Sequence, residues 1–295
     1  MSFPLVEQLQ QKSVPVNQMR RVLGIRRSGY CMARKRNQAQ PTVCEAGVHL
    51  KAAFAASAGA YGSRRLRTAV ASRGFEIGLY RLRRLMHKHG LRSVWKRKFV
   101  HSTDSRHALP ISPNGLNRQF NPTQPNQAWV ADITYIRTRS GWLYLAVLPD
   151  LFARKVVGWA MAPHMQATLV CRALQLAIVP RHPAAELIVH SDRGSQYASA
   201  AHQTLLSKHG LVGSMSRKGN CWDNAVMERF FLNLKMERVW QNDYANHAKA
   251  MNDIADYIVS CYNSQRPHAK LGNLSPNAFE QKSAIEQPIG LCEKT

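Results

Sequence analysis

Acidic residues are scarce in this 295-residue chain: 17 Asp and Glu face 41 Lys and Arg, a formal net charge of +24 at neutral pH. So lopsided a balance argues against a polycationic partner and for a polyanionic one. Paired cysteines are missing as well. Cys31, Cys44, Cys171, Cys221, Cys261 and Cys292 are scattered, with no CxxC and no His pair at zinc-finger spacing. That pattern excludes a disulfide framework and a structural zinc module, and leaves reduced thiols in a reducing compartment. No run of eighteen apolar residues exists, and the first residues, MSFPLVEQLQQKS, lack the apolar segment of an export signal. A soluble protein of the cell interior without a membrane partner is the expectation. Internal repeats are absent too, while a hydrophobic content of 45% is enough to build a core and excludes wholesale disorder.

The positive charge is concentrated at one end. Residues 1–125 hold 23 Lys and Arg against 4 Asp and Glu, a balance of +19, which leaves only +5 for residues 126–295. A basic front module joined to a nearly balanced rear one fits a nucleic-acid reader tied to something else. The front module, residues 1–98, reads as helical. Val16–Tyr30 suggests two short helices broken at Gly24. Further on, SRRLRTAVASRG forms an amphipathic helix with Leu66 and Val70 inward, ended by Gly74. LYRLRRLMHKHG then turns Leu79, Leu82, Leu85 and Met86 to one face and sets Arg81, Arg84 and Lys88 as a basic ridge on another. Two helices joined by a turn, the second rich in arginine, fit a helix-turn-helix, with Arg64 and Arg65 on the first helix as further DNA contacts; the alternative is a basic helical hairpin that only packs on its neighbours. Residues 99–125, rich in Pro, Ser and Asn and without periodicity, read as a linker.

Residues 126–285 have a different texture, followed by a tail over 286–295. AWVADITYIRT, WLYLAVLPD and KVVGWAMA are β-rich runs with short connections, a meander of antiparallel neighbours. Then come a helix (QATLVCRALQLAIV), a strand (ELIVHSD), a helix (SAAHQTLLSKHG), a strand (LVGSMS), a long helix from about Trp222 and a further one over AKAMNDIADYIVSCYN. The fold class expected is α/β: a mixed five-stranded sheet flanked by helices, preceded by an all-α helix-turn-helix region.

Three acids stand out in that module. Asp132 lies within the first strand, Asp192 at the C-terminal end of the fourth, where open α/β sheets place their ligands. Glu228 follows Asp192 with thirty-five residues between, inside the long helix. If strands one and four are neighbours, the two aspartates meet, and Glu228 must arrive from a helix packed across that sheet end. Such oxygen ligands suit Mg²⁺ or Mn²⁺, and two ions about 3.5–4 Å apart would activate a nucleophile and stabilise a leaving oxygen at phosphorus. Lys235, two helical turns after Glu228, shares its face and is either a phosphate contact or a solvated lysine. Other acids read as structural: Asp150 as a turn residue or ion-pair partner beside Arg154, Asp223 as an N-terminal helix residue, Asp253 and Asp256 on an exposed helix face.

AWVADITYI, HSDRGSQY, GNCWDNAVMERFF and YNSQRPHAKLGNLSP together resemble transposases of the insertion sequence 3 family and, more broadly, retroviral integrases of the D,D(35)E type. VNQMRRVLGIRRSGY, YGSRRLRTAVASRG and LRRLMHKHGLR resemble that family's helix-turn-helix region, so the likeness runs over roughly residues 14–280. Departures are small: Cys31 in the aromatic slot after Tyr30, and Ser63 where a Gly-Tyr-type residue is common. The resemblance implies an RNase H-like catalytic domain with Asp132, Asp192 and Glu228 as ligands of two Mg²⁺ (or Mn²⁺) ions, and Lys235 on DNA. It further implies a homo-oligomer on element ends and target DNA in the bacterial cytoplasm, associated with the nucleoid. The family's upstream-frame product, as partner or frameshift fusion, is a further expected partner, because the chain starts at Met1 without a heptad segment and so resembles the second frame alone.

The activity expected is metal-dependent nicking of an element end followed by transfer of the freed 3′ strand, with no covalent protein–DNA intermediate. Two rivals remain: a catalytically inactive DNA-binding product or regulator, and a nuclease that hydrolyses without joining. An intact acidic trio beside phosphate disfavours the first, and a sequence-reading module disfavours the second.

Overall fold

The computed structural model describes residues 44–93, 109–217 and 225–286, with isolated positions between 15 and 32. Most of the paired helices expected over 16–30 therefore lies outside the described residues, as do Asp223 and the beginning of the helix expected from Trp222.

Three helices open the described chain: α1 (Glu45–Ala56), α2 (Ser63–Ala71) and α3 (Leu79–Lys88). Each turns one stripe inward, and Leu50, Ala53, Leu66, Val70, Ile77, Leu82, Leu85 and Met86 form a core of their own. Gly74, at φ +84°, reverses the chain after α2, its N–H bonded to the Ala71 carbonyl at 2.9 Å. The connection from α2 to α3 is longer than the three to four residues usual in a helix-turn-helix. Phe75 occupies it and stacks on His49 of α1 at 4.0 Å between ring centroids.

The second module is the α/β domain expected. Its strands are β1 (Ala128–Thr138), β2 (Gly141–Pro149), β3 (Val156–Ala162), β4 (Ile188–Ser191) and β5 (Val212–Met215). They form one sheet in the order β3-β2-β1-β4-β5. The first three pair antiparallel, and β1–β4 and β4–β5 pair parallel. Two-residue-period alternation splits the sheet's side chains between two cores. On one side Trp129, Ala131 and Val189 pack beneath α4 (Ala167–Arg181) and α6 (Ala200–Lys208), the latter preceded by the short α5 (Ser195–Ala198). On the other, Val130, Ile136, Leu143, Leu145 and Val147 meet Met227, Phe230, Phe231 and Leu234 of α7 (Ala225–Glu237) and Ile254 of α8 (His247–Asp256). Each such buried Leu, Ile or Phe contributes roughly 1.5–3 kcal/mol of transfer free energy. A π-helical stretch, Tyr257–Asn263, continues α8, and α9 (Pro276–Glu286) ends the described chain.

Packing of α4 on β3 is so close that only glycine fits at 158: a Cβ there would stand 2.5 Å from the Ala173 carbonyl oxygen and 2.6 Å from the Ala177 Cβ. Both obstacles are parts of the helix that cannot swing aside. Gly158→Ala is expected to cost about 1–3 kcal/mol by forcing α4 off the sheet, measurable by urea denaturation; wild-type stability would refute so tight a contact.

Residues expected to act as linker behave differently where they are described. Leu116 is buried in the α7-side core, and its N–H donates to Ser214 Oγ at 3.2 Å. The Phe120 carbonyl accepts from Arg154 Nη2 at 2.8 Å. The stretch from 109 to 125 is thus sewn onto the α/β domain; its Pro, Ser and Asn content reflects an irregular path rather than a free tether.

Candidate active site

Asp132 stands in the middle of β1, opposite Val147 of β2. The β1–β4 ladder runs from Ala128↔Ile188 to Ala131↔Ser191. The residue that follows the last pair is an aspartate on each chain segment: Asp132 within β1 and Asp192 just past the end of β4. Strand alternation gives Asp132 the same face as Val130 and Ile136, the face that α7 covers. The backbone orients both carboxylates: Ile133 N–H donates to Asp132 Oδ1 at 2.7 Å, and Gly194 N–H donates to Asp192 Oδ1 at 2.9 Å. Tyr197 lies buried near both. Burial, and then the negative fields of Asp132 and Asp192, push its phenol well above the ordinary value.

The end of β4 is braced from β5. His190, wholly buried, has Nδ1 2.8 Å from Ser214 Oγ and Nε2 3.1 Å from Ser216 Oγ. Ser216 returns its N–H to the Ser191 carbonyl at 2.9 Å, and Arg193 Nε donates to the Ser216 carbonyl at 2.7 Å. The Asp192 turn is held on both flanks by these bonds. Sequence reasoning quoted HSDRGSQY without giving His190 a part; its place one residue ahead of the strand's last could have pointed to one.

Helix α7 crosses this side of the sheet with Glu228 exposed in its first turn. Lys235, two turns on, is half-buried, with Nζ 4.7 Å from the centre of the Tyr135 ring. Burial pushes its ammonium pKa down, and Asp132 opposes that shift. Lys235 thus packs against Tyr135 and is not wholly surrounded by water. The structure does not bring the three acids together: among the described residues, no three of His, Cys, Asp and Glu stand close enough together to hold a metal ion. Asp132 and Asp192 follow the last pair of the β1–β4 ladder, and Glu228 is carried by the first turn of α7. Carboxylates sharing a site repel one another unless a cation lies between them.

Of the residues expected on DNA, Arg81, Arg84 and Lys88 of α3 and Arg64 of α2 are exposed. Arg65 is a third exposed, and its Nη1 lies 3.0 Å from Glu237 Oε1 at the end of α7, so it joins the two modules. Glu237 also accepts from Arg266 Nε at 2.9 Å and Nη2 at 2.8 Å, and from the Tyr257 hydroxyl at 2.8 Å. Burial alone would raise the Glu237 carboxyl, but Arg266, with Arg65 and Tyr257, outweighs it and holds the group below the usual range. Sequence reasoning missed this cluster, although Arg266 lies in the YNSQRPH motif. Asp150 is an ion-pair partner, of Arg181 at 3.1 Å. Asp253 and Asp256 do not merely face solvent, since Arg238 bridges them at 3.1 Å each.

Comparison with known proteins agrees with this architecture. Models described as Integrase core domain match residues 122–221 and 209–276, and an HTH-like domain matches 45–99. The Shigella sonnei "Insertion element IS600 uncharacterized 31 kDa protein" is 43% identical over 266 residues, 90% of this chain and 98% of that one. "Transposase InsF for insertion sequence IS3A" of Escherichia coli (strain K12) is 39% identical over 289 residues, 96% and 99% of the two chains. Among solved structures, the HTLV-2 integrase catalytic core domain in complex with magnesium, in its trimeric form, covers 54% of this chain and 99% of its own at 16% identity and a TM-score of 0.44. With a relative at 39% identity spanning nearly the whole of both chains, this protein belongs to the insertion sequence 3 family of transposases.

Proposed function

We propose that the chain is a divalent-metal-dependent DNA transposase that nicks an element end and transfers the freed 3′ strand to a second phosphodiester. The observation that supports this reading is the parallel pairing of β1 with β4, which puts Asp132 and Asp192 directly after its last pair, on the side of the sheet that α7, bearing Glu228 and Lys235, covers. Hard carboxylate oxygens on a rigid sheet fit Mg²⁺ or Mn²⁺ better than softer ions. When bound, two such ions would activate the attacking oxygen and stabilise the leaving one.

The chain's own residues do the rest. Asp132 and Asp192 supply fixed oxygens, aimed by the Ile133 and Gly194 N–H groups. Glu228 supplies a third carboxylate, drawn from the flank of α7 toward the pair once positive charge stands there. Lys235 holds a DNA phosphate next to Asp132. Tyr197, kept neutral, walls the site on the α5 side. Helix α3 binds the element end through Arg81, Arg84 and Lys88, with Arg64 on a neighbouring phosphate.

In this reading residues 126–285 are the catalytic unit and the helical region before the connecting segment reads DNA. Copies assemble on paired ends, joined by the upstream-frame product as partner or frameshift fusion. Work on chromosomal DNA belongs to the bacterial cytoplasm and the nucleoid; among the described residues no helix is long and apolar enough to cross a membrane.

A strand-transfer assay in Mg²⁺, with duplexes copied from the element's two flanks, tests the assignment. Glu228→Gln should lower nicking and joining by about 100-fold or more, consistent with loss of one anionic ligand. Chelation should abolish both steps, and gel-shift affinity should persist. Joining by Glu228→Gln at the wild-type rate would sink it.

A further inference from the structure

The outward centre of α3 is an aromatic ring. Leu82, Leu85 and Met86 point into the helical core. At 100° per residue, the positions opposite them are Tyr80, Arg84 and His87, with Arg81 and Lys88 along one border and Arg83 along the other. Tyr80 is 82% exposed. Arg83 is turned toward α2, its Nε 3.4 Å from Ser63 Oγ. The helix carries no acid at all.

A face that only gathered phosphates would do best with a cation at Tyr80 as well as at Arg84 in its centre. Tyrosine there leaves a large apolar ring in water and adds no charge, a cost that contact with a partner would offset. Its position is also particular: Tyr80 is the second residue of α3, and the N-terminal residues of a helix laid in the major groove are those that reach base edges. The groove offers an apolar group at one place, the C5 methyl of thymine, with hydrogen-bonding edges on either side.

We infer that Tyr80 is a base-reading residue, its ring against a thymine methyl and its hydroxyl on the adjacent base edge, while Arg84 one turn later takes a guanine. Arg81 and Lys88, on the border, hold phosphates and set the register. Sequence preference then comes from the centre of the face and salt-dependent affinity from its border. This inference rests on the DNA-end reading proposed above and adds to it the residue that discriminates between ends.

The test is selection of binders from a pool of random-sequence duplexes by the full-length protein, followed by affinity measurement. Wild type should enrich a motif containing a thymine at which Tyr80→Ala enriches all bases alike. Replacing that thymine by deoxyuridine, which lacks the methyl, should weaken wild-type binding by about fourfold and leave Tyr80→Ala unaffected. Lys88→Ala should weaken all sequences together and reduce the salt slope by about one.

A Tyr80→Ala protein that keeps the wild-type motif overturns the inference. So does one that loses affinity equally for every sequence, or one that changes only in assembly mass, which would make Tyr80 a protein contact. Each of these leaves the DNA-end reading standing. A wild-type protein that enriches no sequence overturns the inference and the reading together. Circular dichroism of Tyr80→Ala should match wild type, because so exposed a ring supports no packing.

Discussion

Asp192→Asn is expected to reduce end cleavage and strand joining by roughly a thousandfold, with DNA affinity nearly unchanged. The substitution is chosen for what it preserves. The amide keeps an oxygen that can accept from the Gly194 N–H, as Asp192 Oδ1 does at 2.9 Å. The His190, Ser216 and Arg193 bonds that brace the turn involve backbone or other side chains and survive as well. What disappears is one negative charge beside Asp132. Asp132→Asn should behave alike, since Ile133 N–H can still donate to the amide oxygen. Single-turnover cleavage of a labelled end duplex and a parallel gel shift separate chemistry from binding. Asp192→Asn activity within tenfold of wild type would mean that the pair of aspartates is not the reacting centre.

Loss of Arg266 should be the most damaging single change to stability. Its guanidinium is almost fully buried and makes three hydrogen bonds to Glu237, which is itself buried. Arg266→Ala removes the main countercharge and leaves the carboxylate inside, a change that costs about 3–5 kcal/mol in comparable buried pairs. Arg65→Ala should cost far less, about 1 kcal/mol or below, because that side chain is a third exposed and its pairing is screened. The pH dependence follows from the depressed Glu237 carboxyl. Its contribution is complete above the unfolded carboxylate value and is lost as pH falls through the lower folded one. In Arg266→Ala, burial acts with much less opposition and raises that carboxyl, so the acid transition should move to higher pH. Urea titrations between neutral and acid pH measure both effects. Equal stability of variant and wild type across that range would show the cluster to be a bystander.

The strands, the helices behind them and the positions of Asp132 and Asp192 on their strands were legible because β-branched and aromatic runs alternate with helical periods. Adjacency of the two aspartates was not, since it depends on α4 carrying the chain over the sheet so that β4 enters beside β1 and not beside β3. Glu228 illustrates the opposite limit: its spacing and motif single it out, yet its distance from the two aspartates is a tertiary quantity. The ion pair of Arg65 was not legible because helical periodicity shows which residues leave a helix's own core, and says nothing of a carboxylate 172 residues away. Tyr80 escaped notice for a simpler reason, in that counting cations at i, i+3 and i+7 passes over the neutral residue beside them.

The junction of Arg65 and Glu237 also decides how the chain comes apart. Were the helical module to melt first, α7 would be left with a buried carboxylate short of one donor, and the free energy of that defect would fall on the α/β domain. Were α7 to loosen first, α2 would lose its anchor. Fraying of either half therefore withdraws only about 1 kcal/mol or less from the other, a coupling weak enough for the helical core to melt ahead of the α/β cores on heating.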